Sequence, residues 1–307
     1  MERGLLSDPQ LAKDYDGVVW MYLFQDFTHS DADRAAERIA IRFGISSWPQ
    51  HFLVDPTTLA KVGDTGRNLE SFRAAVTKAE VAAGAPKPSV EELAALDELA
   101  ASLEANADVA TAKKHLLHED RVVAFRAMQT LAKQAPEELV AEAGRLLAVP
   151  NDQIRGATCD ALSALGDGAA RDALHALVRS PAHSENPNVL RIRATKALAR
   201  CGDASSLAVV APFAASGEYR NGLTNTAIQT VVAIAERDAK ATTEAVAILA
   251  RAYPPLPTGT EAGREQRMCE ALAKNVHEAL AKLARKQVPF PEKYDDETRA
   301  KLMRSWQ

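Results

Sequence analysis

The residues of this 307-residue chain that could do chemistry are three cysteines, a pair of histidines and a cluster of cations. The cysteines, Cys159, Cys201 and Cys269, lie far apart, so they form neither a Cys-x-x-Cys pair nor the spacing of a metal site. Cys159 and Cys201 occupy the apolar seams of two matching helical segments, and Cys201 stands where the other segment has Leu165. We therefore expect both to be small core residues.

The histidine pair, His115 and His118, lies three residues apart on a predicted helix and is followed by Glu119 and Asp120. Two histidines on one helix face could bind zinc, but the sequence shows no further ligands for it. Histidine and lysine are also ordinary near the C-terminus of a surface helix, where they interact favourably with its carbonyl groups. There is no G-x-S-x-G segment and no glycine-rich phosphate loop. We expect no metal, no cofactor and no catalytic residues in the chain as written.

Four cations, Arg191, Arg193, Lys196 and Arg200, lie close together on one predicted helix. Such a cluster could contact phosphate or an acidic partner, and Arg191, Arg193 and Lys196 are the candidate contacts. The alternative is structural, because recurring arginines and aspartates can tie one helical repeat to the next, and exposed charges are solvated in any case. We favour the structural interpretation.

The composition is that of a folded protein and excludes some classes of partner. Apolar residues make up 47% of the chain and charged residues 25%, and 59 alanines favour closely packed helices. With a formal charge of −4 and 5% aromatic residues, the chain lacks the basic excess and the aromatic side chains that favour nucleic-acid binding. No apolar run reaches the length of a membrane span, and the first ten residues have no signal-peptide pattern. We expect no nucleic-acid and no membrane partner.

Residues 1–80 have the pattern of an incomplete α/β domain, in which apolar runs typical of strands alternate with helical periodicity. Asp31 is the expected N-cap of the predicted helix that ends at Phe43. The predicted elements are a strand at Val18–Phe24, a helix at Asp31–Phe43, two short strands at His51–Val54 and Leu59–Val62, and a helix at about Asn68–Glu80.

The segment RFGISSWPQHFLVDPTTLAKVGDTGRNLESFRAAV resembles the C-terminal part of a thioredoxin-like domain. In that family a helix ends in an aromatic residue, glycine and valine or isoleucine, which matches Phe43-Gly44-Ile45. A short loop and a cis-proline follow, where this chain has Trp48-Pro49, and then a hairpin leads to a glycine before the last helix, which matches Gly66. The resemblance implies a partial thioredoxin-like fold over residues 1–80.

The chain departs from that family where its redox chemistry is carried out. Thiol chemistry there needs a Cys-x-x-Cys at the N-terminus of the first long helix, yet no cysteine precedes Cys159. The strand before that motif, which is central to the family's sheet, is missing as well. Translation could begin upstream of Met1, a rearrangement or a partner could fill the gap, or the domain could be degenerate; we favour the first. As written, the chain is expected to be redox-inactive.

The second half of the chain repeats a helical pattern, V/I-R-x-x-A-x-x-A-L-x-x-L-G-D. It occurs from Ile154 and again from Leu190, with weaker copies near Arg121 and Leu223, and the arginines at 121, 155 and 191 are 34 and 36 residues apart. The Gly-Asp pair is expected to end one helix and cap the next. The pattern resembles HEAT repeats of the phycobilisome-lyase type, and the resemblance implies an all-α solenoid.

These patterns divide the chain into an α/β part and a helical part. Residues 81–89, rich in glycine and proline, are the predicted linker, and the solenoid is predicted over residues 90–286. Residues 287–307 form a tail, in which we expect a short helix whose Trp306 docks on the last repeat. The fold class is therefore multidomain: a partial thioredoxin-like α/β domain followed by an all-α HEAT-like helical-repeat solenoid.

The function we expect is that of a protein- or peptide-binding module. By resemblance alone, the cis-proline loop of Ser47, Trp48 and Pro49 would bind an extended peptide, and the concave face of the solenoid would bind a protein or peptide. The alternative is a thiol–disulfide oxidoreductase whose Cys-x-x-Cys lies upstream of Met1, and a third hypothesis is a structural scaffold. The chain would be cytoplasmic if complete, and periplasmic or secreted if an upstream signal peptide was lost. An exposed edge at the missing strand could also lead to self-association.

Overall fold

The computed structural model describes residues 30–45, 51–55, 61–65, 69–78, 89–166, 168–184, 186–219, 222–257 and 262–306. Within these residues the chain is predominantly helical, with fourteen α-helices and one pair of short strands. The chain divides into two compact units, Met1–Ala127 and Met128–Gln307. The predicted strand at Val18–Phe24 lies outside the described residues. So does the predicted linker, except for Ser89.

The first unit contains six complete elements and the start of a seventh element, a helix that carries the boundary between the units. The elements are α1 (Asp31–Arg42), β1 (Phe52–Val54), β2 (Lys61–Asp64), α2 (Leu69–Lys78), α3 (Val90–Asn106), α4 (Val109–His115) and α5 (Arg121–Gln134).

Helix α1 begins and ends with local hydrogen-bond motifs. Its N-cap is Ser30, whose hydroxyl accepts a hydrogen bond from the Asp33 N–H (3.1 Å), so the expected cap at Asp31 was one residue too late. At the other end, Gly44 has a positive φ of 72°. The Ile45 N–H bonds to the Ala40 carbonyl (2.8 Å) and the Gly44 N–H to the Ile41 carbonyl (3.1 Å). This Schellman motif explains the glycine in the Phe-Gly-Ile segment, because an L-residue is strained at such a φ.

The two strands pair antiparallel, with Phe52 opposite Asp64 and a register shift between Leu53 and Val54. The second strand extends to Asp64, two residues beyond its predicted end, because Gly63 and Asp64 join the backbone ladder although neither adds an apolar side chain. The first two residues of the predicted strand, Leu59 and Ala60, lie outside the described residues. Helix α2 packs on β2, and its Phe72 is buried against Leu53 of β1 and against Leu69 and Val76 of its own helix. The hairpin and the helix together form a small core.

Ion pairs attach α1 to α3 and α5 inside the first unit. Arg42 donates to Asp97 (3.0 Å) and to Asp120 (3.0 Å). Arg126, which is buried, pairs with Glu37 at 2.6 Å and with Glu104 at 3.4 Å. Arg42 belongs to α1 and Arg126 belongs to α5, so each of these helices supplies one arginine to the ion pairs.

The second unit stacks its helices in two layers. The first layer consists of α7, α9, α11 and α13, each packed against the next, and the second layer consists of α6, α8, α10 and α12, packed in the same way. A 3₁₀ turn precedes α12, and a last helix follows the stack. The bounds are α6 (Pro136–Ala148), α7 (Asp152–Leu165), α8 (Arg171–Arg179), α9 (Pro187–Cys201), α10 (Ala204–Ala214), α11 (Gly222–Arg237), α12 (Thr242–Arg251), α13 (Ala262–Ala284) and α14 (Asp296–Ser305).

Small and polar residues at the seams of the first layer let its helices approach one another. The Cys201 thiol of α9 donates to the Leu162 carbonyl of α7 (3.1 Å), and the Thr230 hydroxyl of α11 donates to the Thr195 carbonyl of α9 (3.0 Å). Cys159 and Cys201 are both buried, which confirms their prediction as core residues.

The predicted role of the Gly-Asp pair is confirmed at Gly202 and Asp203. A Cβ on Gly202 would lie 2.5 Å from the Leu198 carbonyl oxygen, so a side chain would not fit at the end of α9. Asp203 then caps α10, since its carboxylate accepts from the Ser205 N–H (2.9 Å). In the other copy Gly166 ends α7 with a φ of 70°, and Asp167 lies outside the described residues.

The tail confirms the prediction of a short helix with a docked tryptophan. Helix α14 begins with a capping box formed by Asp295 and Thr298. Trp306, at its end, is buried, and its indole N–H donates to the Tyr253 hydroxyl (3.0 Å). The tail therefore covers apolar surface at the last helices of the stack.

Candidate functional site

A groove of about 310 Å³ lies between α11 and α13 in the first layer of the second unit. One face of α11 supplies most of it, because its lining residues recur at three- and four-residue intervals. The lining residues are Asn225, Ile228, Gln229, Val232, Ala233 and Glu236 of α11, and Asn275 and Ala279 of α13.

The groove combines amide side chains with apolar and small ones. Asn225, Gln229 and Asn275 each carry both a hydrogen-bond donor and an acceptor, which is the pairing that a peptide backbone also presents. Ile228 is buried beneath them, and Ala233 and Ala279 leave space for an occupant because they end at Cβ. The three amide groups can form hydrogen bonds with the backbone of an extended peptide, and these bonds do not require the peptide to carry a charge.

One ion pair stands at the wall of this groove. The Glu236 carboxylate of α11 pairs with the Lys282 ammonium of α13, and both side chains remain largely exposed. The pair joins the two helices that form the groove, and it neutralises the carboxylate among the lining residues.

The structure places the three predicted cationic contacts in three different situations. Arg191 is used within the fold, since its Nε donates to the Val178 carbonyl (3.1 Å) and its guanidinium lies 5.7 Å from the centre of the Phe213 ring. Arg193 pairs with Asp160 of α7 at 3.4 Å. Lys196 is exposed on the surface of α9.

Gly156 of α7 leaves room for the Arg193 side chain where α7 and α9 meet. A Cβ at that glycine would lie 2.5 Å from the Arg193 Nη1, so the guanidinium occupies the space a side chain would need. The Asp160 carboxyl it pairs with is partly buried, and burial raises its pKa despite the opposing effects of Arg193 and then Lys196. Arg193 therefore ties α9 to α7, as the structural interpretation of the cluster predicts.

The predicted cis-proline contacts, Ser47, Trp48 and Pro49, lie outside the described residues, so they remain predictions. In the sequence they lie between Ile45, where the Schellman motif ends, and Phe52, where β1 begins.

Ser206, His175 and Asp172 of the second unit lie next to one another in the spatial order of a catalytic triad. The sequence analysis did not predict this arrangement. His175 Nε2 lies 2.8 Å from the Ser206 hydroxyl, and His175 Nδ1 lies 4.0 Å from an Asp172 carboxylate oxygen. Ser206 is completely buried, and its hydroxyl accepts from the Asp203 N–H (3.3 Å) at the start of α10. A substrate carbonyl could not reach this buried hydroxyl. The three side chains therefore serve helix capping and packing and not catalysis.

The three thiols are buried as well. Burial raises the pKa of Cys269 to about 11, with the nearby Glu270 carboxylate acting in the same direction, and burial also raises the pKa of Cys159. Thiols in such surroundings stay protonated at neutral pH and are poor nucleophiles.

The histidine pair flanks the end of α4. The rings of His115 and His118 lie 5.8 Å apart between centres, and His118 Nδ1 accepts from the Asp120 N–H (3.0 Å). Burial, then the charges of Lys114 and His118, lower the pKa of His115. Over the described residues, no group of three or more potential ligands is placed to hold a metal ion. Among those same residues, no helix is long and apolar enough to cross a membrane.

Comparison of the chain with protein-family models, with curated proteins and with solved structures gives no match. A function for the groove must therefore be argued from its own residues and from the charges around it.

Proposed function

We propose that this chain is a protein-binding module in which the groove between α11 and α13 holds an extended peptide segment. The observation that carries the proposal is the set of three amide side chains, Asn225, Gln229 and Asn275, above an apolar floor. Such groups can bind the backbone of a peptide in an extended form, whose donors and acceptors are not used by its own secondary structure.

The length of the groove fits a short segment. From Asn225 to Glu236 the α11 wall rises by eleven residues, or about 16 Å. An extended chain covers that distance with about five residues. The amides on the two walls could hold the segment from both sides.

The proposed architecture around the groove is the HEAT-like solenoid over residues 90–286. Its support is the two-layer stack of α6 to α13, in which the matching segments of the sequence occupy equivalent places in the first layer. In helical repeats each pair of helices buries its apolar face only against its neighbours, which leaves one face of each layer available for binding.

For residues 1–80 we propose the partial thioredoxin-like domain. Its support is the order of the described elements: a helix ending in Phe43-Gly44-Ile45, an antiparallel hairpin and a helix packed on the hairpin. On this proposal Ser47, Trp48 and Pro49 form a second peptide contact. The burial of all three cysteines favours peptide binding over thiol–disulfide exchange as the function of this chain.

The test is a selection of twelve-residue peptides from a displayed random library on the intact chain, followed by fluorescence anisotropy with the enriched peptides. The variant Ala279→Trp fills the groove and should weaken binding by about tenfold or more. Ala247→Trp, an equal change at an exposed position of α12 in the second layer, should leave binding unchanged.

Circular dichroism would verify that both variants are folded. The proposal fails if no peptide is enriched, or if the enriched peptides bind Ala279→Trp as tightly as the parent chain.

A further inference from the structure

We infer that the segment bound in the groove is uncharged, and that it inserts one large apolar side chain between Ala233 of α11 and Ala279 of α13. The inference rests on the proposed function and goes beyond it by naming the chemistry of the partner. It follows from the order in which the lining residues of the two helices face each other.

The ion pair between Glu236 and Lys282 fixes the register of α11 against α13. Counting back three residues from each member of the pair gives an alanine on either helix, and counting back seven residues gives an amide. These four lining residues are Ala233 and Gln229 of α11, and Ala279 and Asn275 of α13. Since residues that precede Glu236 line the same groove as residues that precede Lys282, the two helices run in the same direction. Intervals of three and seven residues return to the same face of a helix, so the alanines lie opposite each other, and so do the amides.

The space between the two alanines suits an apolar side chain of the partner. Ala233 and Ala279 are half-buried and end at Cβ, so neither extends far into the groove. Beside them lie Val232, which is also half-buried, and Ile228, which is only 2% exposed and belongs to the hydrophobic core of the second unit. An apolar side chain that enters here exchanges its contact with water for contact with these apolar groups.

The two opposite amides can fix the backbone of the segment beside that side chain. Gln229 and Asn275 are exposed, and each precedes its alanine by four residues, or about 6 Å along the helix. An extended chain covers that distance with about two residues. The amides can therefore form hydrogen bonds with the backbone about two residues away from the inserted side chain, and neither amide requires a charge on the partner.

The lining of the groove does not offer a counter-ion to a charged side chain. Among the described residues that line the groove, Glu236 is the only one with a charge, and the Lys282 ammonium balances it. A charged side chain that entered between the alanines would lose water without gaining an opposite charge, which is costly. An apolar side chain does not incur this cost, so charge complementarity favours an uncharged segment.

The test uses four pools of fluorescein-labelled twelve-residue peptides that differ only at the sixth position, which is leucine, alanine, glutamate or lysine. The other positions are randomised among glycine, serine, threonine, asparagine and glutamine, so each pool is otherwise uncharged. In anisotropy titrations the parent chain should bind the leucine pool about tenfold more tightly than the alanine pool. The glutamate and lysine pools should bind no more tightly than the alanine pool, and this order should be the same at 50 mM and 500 mM NaCl.

A variant that fills the space between the alanines tests where the leucine binds. Ala233→Leu should weaken binding of the leucine pool about tenfold, to the affinity of the alanine pool. Binding of the alanine pool should not change, which also shows that the variant is folded. Ala247→Leu makes the same substitution at an exposed position of α12 and should retain the preference for leucine.

Removing the members of the ion pair in turn tests the charge preference. Lys282→Gln leaves the Glu236 carboxylate without this counter-ion, so the lysine pool should bind about threefold more tightly at 50 mM NaCl and lose that gain at 500 mM NaCl. Adding Glu236→Gln should remove the gain. If Lys282→Gln gives no gain, the ion pair does not set the charge preference and the inference of an uncharged partner fails.

The outcomes separate this inference from the proposed function. If the leucine and alanine pools bind equally and Ala279→Trp weakens both, the groove binds peptides but the apolar side chain is wrong. The inference also fails if the parent chain prefers the glutamate or the lysine pool, or if Ala233→Leu weakens all four pools alike. If no pool binds the parent chain, both proposals fail. If sedimentation shows a dimer of the parent chain that Ala279→Trp dissociates, the occupant is a second copy of the chain and the inference fails.

Discussion

Arg155 shows how one buried charge can organise a junction between helices. It lies near the start of α7 with its guanidinium almost fully buried, and it pairs with Asp152 at 2.5 Å. It also donates to the Ala182 carbonyl (2.7 Å), in the loop that leads to α9. The same Asp152 carboxylate accepts from Ser184 (2.7 Å) and from the Asn186 N–H (3.1 Å). The loop before α9 is thus attached to α7 through one ion pair.

We predict that Arg155→Met lowers the free energy of unfolding by about 3–5 kcal/mol, because Asp152 is left buried without its counter-ion. Urea denaturation followed by circular dichroism measures this loss. Arg145→Met is the control, since Arg145 pairs with Glu142 on an exposed surface and should cost less than about 0.5 kcal/mol. Equal losses in the two variants would contradict a special role for the junction.

His175 makes the stability of the second unit depend on pH. Burial lowers its pKa, and the nearby Arg179 acts in the same direction. The folded protein therefore binds fewer protons here than the unfolded chain does, so stability falls as the pH falls through the unfolded value of about 6.5.

We expect the urea midpoint of the parent chain to decrease between pH 7.5 and pH 5.5, and to decrease less in His175→Gln. The glutamine keeps a group that can hydrogen-bond to Ser206 but cannot take up a proton. Arg145→Met, which removes no group that titrates in this range, should show the same decrease as the parent. An unchanged pH dependence in His175→Gln would show that other groups cause it.

At the scale of elements, the tail is held by a chain of hydrogen bonds between buried aromatic residues. The Trp306 indole donates to the Tyr253 hydroxyl, which donates in turn to His277 Nδ1 (2.8 Å). His277 Nε2 then donates to the Val288 carbonyl (2.6 Å). The direction follows from the ends, because an indole can only donate and a carbonyl can only accept. Helix α14 is thereby connected to the segment after α12 and to α13.

We predict that Tyr253→Phe lowers the free energy of unfolding by about 1–3 kcal/mol, since it leaves the Trp306 N–H and His277 Nδ1 without their buried partner. Thermal unfolding monitored by circular dichroism measures the effect. Tyr219→Phe is the matched control, because that hydroxyl is only partly buried and lies 3.3 Å from Glu265. We expect the control to change stability by less than about 0.5 kcal/mol. A loss of the same size in both variants would show that the tail does not depend on this chain of hydrogen bonds.

At the scale of the whole molecule, the repeated pattern was enough to predict three of the four helices of the first layer, α7, α9 and α11. Apolar and small residues at three- and four-residue intervals predicted α7 and α9, and the Gly-Asp pair predicted where α9 ends and α10 begins. These features are local, so a single sequence contains the information for them. The tail helix and the burial of Trp306 were predicted for the same reason, from an Asp-x-x-x-Arg segment followed by a terminal tryptophan.

The groove could not be predicted in this way, because its walls come from helices that are distant in the sequence. Asn225 and Asn275 are fifty residues apart, and nothing in either helix alone indicates that the two amides share a surface. The same limit applies to the cations of α9. Whether Arg191 is available to a partner depends on Val178 and Phe213, residues of α8 and α10, and not on the spacing within α9.

The directions of the stacked helices have an electrostatic consequence. The contacts Asp160–Arg193 and Leu162–Cys201 proceed in the same order along α7 and α9, and Thr195–Thr230 and Ala199–Arg237 do so along α9 and α11. These three helices are therefore parallel, and their dipoles add. Helix α8 runs the other way. Its first turn reaches the end of α9 through Arg171 and Cys201, and its last turn receives Arg191.

The dipoles of the two layers therefore oppose each other, and each edge of the stack presents positive and negative helix ends alternately. A stack of this kind has little net dipole with which to attract or orient a distant anion. Long-range attraction of a charged partner would then depend on side-chain charges, so exchanging those charges changes that attraction while the backbone field stays the same.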